Sequence, residues 1–453
     1  MPNINPAIFK SYDIRGIYPD ELNDEAAYAI GRAYARRTGA KEIVVGSDMR
    51  LSGPALKAEF IRGIIDEGAD ILDIGLVPID AVYFAVRKWN YSARLAGTLA
   101  KRAGAMITAS HNPKEYNGFK LPLSGTGWVR GEEIKIDVGQ LPPDLPAAKG
   151  KISAADIMPS FIKHILSFAD LTKIKPLTIV VDAGNGMAGK VVPLLEPHLP
   201  IKIIPLNFEL DGNFPAHPSN PLLPESQAQI TQAVKNNKAD GGVIFDGDTD
   251  RLFFVDERGE FIRADMTLLI LAKEFLRREP GAGIVYNAIC SKAVPEIISE
   301  WGGRALRSKV GFVNIMATMA NERGIMGGEL SAHYSFRDNG YADSGFIAWL
   351  ILLELLSQNE RPLSKIVREF QRYNKSDEIN LRLDDREAAI AKLKAKYRDG
   401  RQDEFDGLTV NYPTWWFNVR LSNTEPLLRI TIETPDQETT DAKREEILKT
   451  INP

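Results

Sequence analysis

This 453-residue sequence contains a single cysteine, few long apolar runs and little excess of either charge. The single cysteine, Cys290, excludes an intramolecular disulfide and indicates a reducing compartment, so we expect a cytoplasmic protein. The longest apolar run, Phe346–Leu356, is too short to span a bilayer and contains Glu354, so we expect no membrane partner. The N-terminal residues show no cationic start followed by an apolar stretch, and a signal peptide is therefore not predicted.

The charge is also nearly balanced. Lys and Arg number 56 against 60 Asp and Glu, which gives a net charge of −4 and argues against a nucleic-acid partner. Hydrophobic residues make up 44% and charged residues 26%, proportions that are ordinary for a globular enzyme. At about 100–150 residues per domain, the length predicts three or four domains.

A unit of strand, loop, helix and strand occurs three times along the chain. Its first strands are Ile43–Val45, Leu177–Val181 and Ile284–Tyr286. The repetition predicts three related α/β domains with mixed sheets, each with a loop at the carboxyl end of a strand, where open α/β sheets bind ligands. The last part of the chain has short strands and separate helices, which predicts a smaller C-terminal α+β domain reached through a linker at Val367–Lys375. The expected domains are residues 1–153, 154–255, 256–367 and 368–453.

The stretch Gly104–Lys120 places a serine among donors and cations. Ala105–Ile107 is expected to end a buried strand, and the small and polar residues after it, with Pro113, form a turn. A serine at the tip of such a turn, Ser110, is expected to be exposed to whatever enters a cleft. Turn chemistry explains the asparagines and the proline equally well, so a nucleophile and a structural turn are both open readings of this stretch alone.

A stronger signal is the stretch Gly241–Arg251. An apolar strand delivers Asp246, Asp248 and Asp250, and carboxylates this close repel one another unless a hard cation lies among them. Oxygen ligands without histidine or cysteine favour Mg²⁺ or Ca²⁺ over zinc. Arg251 follows directly and suits phosphate oxygens, although a salt bridge to one of the aspartates is equally compatible.

This acidic stretch has two other readings. An EF-hand loop starting at Asp246 would place Glu257 correctly at its twelfth position, but Arg251 falls where glycine is required and Leu252–Val255 is expected to be a strand. A solvated acidic turn is less favoured, because apolar runs on both sides place the turn inside a domain.

Two further polar loops suit a phosphosugar. If the segment after Gly327 is extended, Glu329, Ser331 and His333 share one side and can converge on the hydroxyls of a polyol, with a structured surface loop as the alternative. Between two C-terminal strands, a guanidinium, hydroxyls, an amide and turn N–H groups can bind a phosphate, although a plain hairpin turn explains part of the pattern. The residues of this second loop are Arg420, Ser422, Asn423 and Thr424. Together the four loops indicate phosphoryl transfer on a phosphosugar.

The chain resembles the α-D-phosphohexomutases, and within them the bacterial phosphomannomutase/phosphoglucomutase group. The motifs that carry the resemblance are YDIRG (Tyr12–Gly16), TASHNP (Thr108–Pro113), YNGFK (Tyr116–Lys120), DGDTDR (Asp246–Arg251), GELSAH (Gly328–His333) and RLSNTEP (Arg420–Pro426). The resemblance covers essentially the whole chain and implies the family's four domains around a central cleft.

The resemblance implies a mechanism as well. Ser110 would be carried as a phosphoserine whose phosphate joins the three aspartates around Mg²⁺. The phosphoryl group would pass to a hexose phosphate through a hexose 1,6-bisphosphate, which is also the expected activator. Lys120, with Arg15 and His111, would handle proton and charge balance, and Tyr12 and Gly311 would contact the substrate. The expected partner is thus a small hexose phosphate, and the resemblance leaves protein partners open.

The sequence departs from the family pattern in the third domain. Ile289 stands where many members have a lysine, and Phe312 stands where many have a histidine; Lys292 or Lys309 are possible substitutes. These departures leave the substrate open between mannose, glucose and glucosamine phosphates. We expect a phosphomannomutase, with phosphoglucosamine mutase and phosphoglucomutase as alternatives. A non-catalytic phosphosugar sensor is a further alternative, which the intact serine and aspartates disfavour.

Overall fold

The computed structural model describes residues 4–87, 103–359, 361–422 and 427–451. The first group of elements comprises β1 (Ile14–Ile17), α1 (Asp24–Thr38), β2 (Glu42–Ser47), α2 (Gly53–Asp66), β3 (Asp70–Leu76), α3 (Ile79–Arg87), β4 (Ala103–Ile107), β5 (Tyr116–Lys120), α4 (Gly131–Val138) and β6 (Ile152–Ala154). The second comprises α5 (Met158–Leu166), β7 (Thr178–Asp182), α6 (Ala188–Leu195), β8 (Lys202–Leu206), α7 (Pro224–Asn237), β9 (Gly241–Phe245) and β10 (Leu252–Val255).

Two more groups complete the described chain. The third comprises α8 (Ala264–Arg278), β11 (Gly283–Asn287), α9 (Ala293–Glu300), β12 (Arg304–Ser308), α10 (Phe312–Glu322), β13 (Gly324–Gly328), β14 (Tyr334–Phe336) and α11 (Gly345–Gln358). The fourth comprises α12 (Leu363–Phe370), β15 (Asn374–Lys375), β16 (Ile379–Leu381), α13 (Arg386–Lys396), β17 (Arg401–Asp403), β18 (Leu408–Asn411), β19 (Trp416–Leu421), β20 (Leu428–Thr434) and α14 (Gln437–Ile451).

The chain divides into two compact units, residues 1–263 with 331–365 and residues 264–330 with 366–453. In the first unit, one sheet has the strand order β1-β5-β4-β2-β3-β6. Strand β2 runs parallel to β3 and β4, whereas β5 runs antiparallel to β1 and β4. A second sheet has the order β10-β9-β7-β8, with β7 parallel to both neighbours and β10 antiparallel to β9. Both sheets are therefore mixed, as predicted.

Local sequence signals account for the elements of the first unit. The Asn23 side chain accepts the N–H of Ala26 and so caps α1, and Gly39 ends that helix with a φ of 58°. Strands β4 and β9 are buried throughout, which fits their continuous apolar runs. The carboxyl ends of these two strands carry the Ser110 turn and the aspartate triad, which are the elements that the sequence singled out.

The second unit contributes strands to two further sheets. Strand β11 lies between β12 and β13 and is parallel to both. The C-terminal strands follow the order β15-β20-β19-β18-β17, with β16 also paired to β20, and the described pairs are antiparallel. Phe417, Ile430 and Ile432 are fully buried in the core of this sheet, together with Leu393 of α13 and Ile447 of α14. The smaller C-terminal α+β domain is thus present, while the four predicted domain boundaries stay predictions.

The predicted linker at Val367–Lys375 is wrong in part. Residues up to Phe370 belong to α12, and Asn374–Lys375 form β15 and pair with β20. Leu363, Ile366, Val367 and Phe370 follow the spacing i, i+3, i+4, i+7 and are buried, so an amphipathic helix accounts for the stretch better than a linker.

The longest apolar run in the sequence lies in α11. Residues Gly345–Ser357 of this helix are buried, including Glu354, whose carboxylate accepts the backbone N–H of Asp170 at 3.0 Å. Across the ranges that the structure describes, no helix combines the length and the apolar character needed to cross a membrane.

Candidate active site

The candidate nucleophile, Ser110, lies in the turn that follows β4. Its Oγ donates to Asp246 Oδ2 at 2.7 Å and lies 3.2 Å from His111 Nδ1. Its backbone has a φ of 51°, in the left-handed region that few non-glycine residues adopt. Only 1% of Ser110 is exposed, so the predicted exposure is wrong. The turn is held inside the protein because its carbonyl oxygens accept hydrogen bonds from a buried side chain.

Arg50 makes those bonds. Its two terminal nitrogens donate at 2.7–2.8 Å to the carbonyl oxygens of Ser110, Asn112, Pro113 and Tyr116. The Arg50 side chain is fully buried, and its Nε lies 3.5 Å from Asp48 Oδ2. Arg50 lies in the loop that follows the predicted strand Ile43–Val45, and no local sequence pattern marks it as part of the site. The available signal was that the loop follows β2, which pairs with β4.

The predicted aspartate triad is assembled at the end of β9. Asp246, Asp248 and Asp250 each place a carboxylate oxygen within 4.8 Å of the others. Gly247 is needed between them, because a Cβ there would lie 2.8 Å from the Ser110 carbonyl oxygen and 2.7 Å from Ser219 Oγ. Strand β10 begins at Leu252, as expected, which disagrees with an EF-hand loop.

The donor set fits a hard cation. Within the described residues, Asp248 Oδ1 and Asp250 Oδ1 are buried and have no hydrogen-bond partner. Burying such oxygens without a partner is costly, so they are suited to coordinate an ion. Burial raises the pKa of Asp246 to about 8, with the charges of Asp250 and Asp248 adding to the effect. A divalent cation among the three carboxylates would remove this repulsion.

Lys120 is the main positive charge on the triad. It ends β5, and its Nζ donates to Asp248 Oδ2 at 2.8 Å and also to Asp250 Oδ2. Burial lowers the pKa of Lys120, but the two aspartates outweigh it and raise the pKa above its usual value. For Asp250, burial raises the pKa, but the charges of Lys120 and His333 outweigh this effect and hold the pKa well below its usual range. Lys120 is therefore present as an ammonium ion in this arrangement.

Arg15, from β1, contacts the other side of the Ser110 turn. Its Nε donates to Asp13 Oδ2 at 2.8 Å, and its Nη1 donates to Asn112 Oδ1 at 2.5 Å and to the Ala109 carbonyl at 3.2 Å. Burial, followed by the charges of Arg251 and Arg15, lowers the pKa of His111 well below its usual value. His111 is thus a neutral imidazole beside the serine.

Arg251 and Tyr12 also lie in the first unit. Arg251 Nε is 3.9 Å from Asp246 Oδ2, outside hydrogen-bond distance, and it is buried with no hydrogen-bond partner among the described residues. It thus retains a donor that an anion can accept from. The Tyr12 carbonyl oxygen accepts the indole N–H of Trp128.

Polar residues that no sequence motif indicated lie behind the triad. Thr108 Oγ1 lies 2.6 Å from Asp48 Oδ2 and 3.0 Å from Asp248 Oδ2, and so bridges the two carboxylates. Thr249 Oγ1 donates to Asp80 Oδ2 at 2.8 Å. Burial raises the pKa of Asp48 to about 6. Since these partners are far apart in the sequence, no local pattern marks them.

The expected extended segment at residues 329–333 is not extended. Residues 330–331 form a turn, and Ala332 has a φ of 65°, so the side chains do not alternate along a strand. Ser331 Oγ lies 2.8 Å from His333 Nδ1, and His333 Nε2 lies 3.4 Å from Asp250 Oδ1. The structure thus brings Ser331 and His333 together beside the triad.

The remaining predicted site residues belong to the second unit. Glu329 Oε2 accepts the backbone N–H of Gly311 at 2.9 Å. Arg420 Nη2 donates to Glu378 Oε1 at 2.6 Å, and Ser422 is partly exposed after β19. Asn423 and Thr424 lie outside the described residues.

The two positions that depart from the family pattern differ in burial. Ile289 is 3% exposed, whereas Phe312 is half-buried at the start of α10. Of the suggested substitutes, Lys292 Nζ lies 3.4 Å from the Tyr412 carbonyl oxygen, and Lys309 Nζ lies 5.9 Å from the centre of the Phe405 ring.

Comparisons with known proteins agree with this arrangement. Four phosphoglucomutase/phosphomannomutase family models match the chain: α/β/α domain I at residues 6–136, domain II at 159–259, domain III at 263–373 and the C-terminal domain at 378–450. A phosphomannomutase from Escherichia coli is 39% identical, over 97% of this chain and 98% of that protein. A phosphomannomutase/phosphoglucomutase from Pseudomonas aeruginosa is 36% identical, over 96% of this chain and 94% of that protein.

A solved structure extends the likeness to three dimensions. A phosphoglucomutase/phosphomannomutase family protein from Burkholderia thailandensis is 31% identical, covers 99% of this chain and 98% of its own, and superposes with a TM-score of 0.88. Motifs, fold and relatives therefore agree over nearly the full length. The chain belongs to the phosphoglucomutase/phosphomannomutase family and is a phosphohexomutase, an isomerase that acts by phosphoryl transfer.

Proposed function

We propose that the protein interconverts mannose 6-phosphate and mannose 1-phosphate, and also accepts glucose phosphates. The observation that carries the proposal is the contact between Ser110 Oγ and Asp246 Oδ2, beside two buried carboxylate oxygens that have no hydrogen-bond partner among the described residues. The names of the relatives at 36–39% identity support mannose first and glucose second. Ser110 would be carried as a phosphoserine, and a hexose 1,6-bisphosphate would be both intermediate and activator.

The residues that would hold Mg²⁺ are Asp246, Asp248 and Asp250, together with the phosphate on Ser110. When bound, the ion would supply positive charge to the phosphoryl oxygens. Lys120 and Arg15 would add to this charge balance, since Lys120 is a buried cation at the site and Arg15 is a half-buried one.

The transfer itself breaks the bond between phosphorus and Ser110 Oγ and forms a bond between phosphorus and a sugar hydroxyl oxygen. The sugar hydroxyl loses a proton, and Ser110 Oγ gains one. We assign His111 to the proton at Oγ because its Nδ1 is at hydrogen-bond distance. The bisphosphate then turns over and returns its other phosphate to Ser110, which restores the phosphoserine and releases the isomeric monophosphate.

Substrate recognition is proposed for the residues around this centre and for the loops of the second unit. Arg251 is supported as a phosphate ligand by its buried Nε, which has no hydrogen-bond partner in the part of the chain that the structure describes. Ser331 and His333 are supported by their contact with each other beside Asp250. The remaining proposed substrate contacts are Tyr12, Gly311, Glu329, Arg420, Ser422, Asn423 and Thr424.

A substrate panel tests the proposal. Coupled assays with mannose, glucose and glucosamine phosphates, each with a 1,6-bisphosphate activator and Mg²⁺, should give the highest kcat/KM for mannose and a measurable value for glucose. A higher value for glucosamine phosphate would assign the protein as a phosphoglucosamine mutase. No turnover of any hexose phosphate would favour the phosphosugar sensor.

A further inference from the structure

The four hydrogen bonds from Arg50 all go to backbone carbonyls of one turn. They reach residues 110, 112, 113 and 116, which surround the candidate nucleophile but are 60 or more residues away from Arg50 in the sequence. Arg50 is 1% exposed, so these bonds are shielded from water. The buried Arg50 guanidinium thus stabilises the shape of this turn.

The shape of the turn matters because it directs one side chain. The Ser110 N–H donates to Thr108 Oγ1 at 2.9 Å, and the Ser110 carbonyl accepts from Arg50 at 2.8 Å and from Ser219 Oγ at 3.2 Å. With both backbone groups held, the position of Cβ is fixed, and the 2.7 Å hydrogen bond to Asp246 Oδ2 then holds Oγ in one rotamer. The left-handed φ of Ser110 is strained for a residue with a side chain, so the turn needs such contacts to persist.

Only a guanidinium can make this set of bonds. Its nitrogens lie in one plane at fixed angles, whereas an ammonium has three donors at a single point. Arg50 is itself held in place, because Nε lies 3.5 Å from Asp48 Oδ2 and its guanidinium lies 5.1 Å from the centre of the Phe214 ring. The hydrogen bonds from Arg50 to the turn are therefore in place before a ligand arrives.

We propose that Arg50 is a positioning residue for phosphoryl transfer, which sets the direction of Ser110 Oγ through the turn carbonyls without touching the substrate. The inference rests on the proposed function and extends it to a residue outside the four motif loops. A positioning role has a kinetic signature: displacement of the nucleophile lowers kcat while substrate affinity is kept.

The test compares Arg50→Lys with Arg32→Lys in the full-length protein. Arg32 is a matched control, because it is also buried and donates to Glu67 Oε1 at 2.7 Å and to the Pro142 carbonyl at 2.9 Å, away from the turn. Steady-state assays give kcat and KM, thermal unfolding gives Tm, and rapid quench with intact-mass detection follows the phosphoryl group as it leaves Ser110. Arg50→Gln is a second variant that keeps two donors without the charge.

For Arg50→Lys we expect kcat and the single-turnover rate to fall about 100-fold, as for a displacement of about 1 Å, while KM stays within about threefold. Arg32→Lys should lower Tm without this loss of kcat. Wild-type rates in a folded Arg50→Lys protein overturn the inference alone, as does a fall in kcat that Arg32→Lys shares. If neither Arg50 variant folds, the arginine serves folding rather than positioning, which also overturns it. A wild-type protein that transfers no phosphoryl group overturns the proposed function and this inference with it.

Discussion

The Ser110 turn and the strand end at Arg420 both present polar groups, but they prepare these groups differently. Around Ser110, buried oxygens of Asp248 and Asp250 and a buried nitrogen of Arg251 are left without hydrogen-bond partners among the described residues. At β19, the Arg420 guanidinium already donates to Glu378 Oε1. The first region therefore offers three such atoms to a cation and a phosphate. Among the described residues Arg420 Nε also lacks a hydrogen-bond partner, but the terminal Nη2 must exchange Glu378 for a phosphate.

This difference separates chemistry from recognition. Electrostatic catalysis works best with groups that are already oriented and desolvated before the reaction. A recognition site can instead hold its cation in an ion pair with a protein carboxylate, which the correct ligand then replaces. We therefore expect substitutions at the Ser110 turn to change kcat strongly, and substitutions at the Arg420 pair to change KM weakly.

The largest effect is expected for Ser110→Ala. Removal of the hydroxyl that carries the phosphoryl group should lower kcat by at least about 10⁴-fold. Tm should change little, because the backbone bonds of the turn remain. The control is Ser226→Ala, which removes another buried hydroxyl, bound to the Pro218 carbonyl at 2.8 Å. If Ser110→Ala were as active as Ser226→Ala, the Ser110 turn would not be the region that carries the chemistry.

Asp248→Asn is expected to have the next largest effect. The amide keeps the shape but loses the charge that contacts Lys120 and would hold the cation, so kcat should fall by about 10²–10³-fold and half-saturation should need more Mg²⁺. A titration of activity with Mg²⁺ measures both. Asp256→Asn, a buried carboxylate that accepts turn N–H groups, should leave the Mg²⁺ dependence unchanged. An unchanged Mg²⁺ dependence in Asp248→Asn would contradict the assignment of the triad.

Glu378→Gln tests the exchangeable side of the comparison. Loss of the carboxylate should free Arg420 for a phosphate, so KM should fall by about two- to fivefold, the range of a partly exposed ion pair, with kcat nearly unchanged. Glu446→Gln, which alters an ion pair on α14, is the control. A change in kcat rather than KM would show that the two regions do not divide their tasks in this way.

The smallest effect concerns a buried pair in the first unit that has a structural role. His217 Nε2 lies 3.2 Å from Asp182 Oδ2. Burial lowers the pKa of His217, but the hydrogen bond and charge of Asp182 outweigh it and raise the pKa above the ordinary value. Because the folded pKa exceeds the unfolded one, the pair adds stability below the unfolded pKa, near 6.5, and this part is lost as pH rises through the folded pKa.

Unfolding free energies of wild type and His217→Gln at several pH values check this expectation. The difference between the two proteins should be largest below about pH 6 and should shrink in alkaline solution. A difference that does not vary with pH would mean that folding does not change the pKa of His217.

Much of the fold and part of the site followed from local sequence patterns. The strands before Ser110 and Asp246 were predicted because apolar runs end at polar turns, and the triad was predicted because three aspartates flank Gly247 and Thr249. Arg50 was not, because its four partners come from a stretch brought next to it only when β2 pairs with β4. The 329–333 segment was misread because alternation assumes extended backbone, and the positive φ of Ala332 breaks it. Side-chain burial at Ser110 likewise depends on tertiary contacts.

The central claim is that Ser110 carries the phosphoryl group. Intact-mass spectrometry of the full-length protein, incubated with a hexose 1,6-bisphosphate and then with mannose 6-phosphate, follows that group directly. We predict that the protein gains the mass of one phosphoryl group, that peptide mapping locates it at Ser110, and that it is lost to the sugar within a turnover. A protein that turns over mannose phosphate while Ser110 never gains that mass would contradict the account.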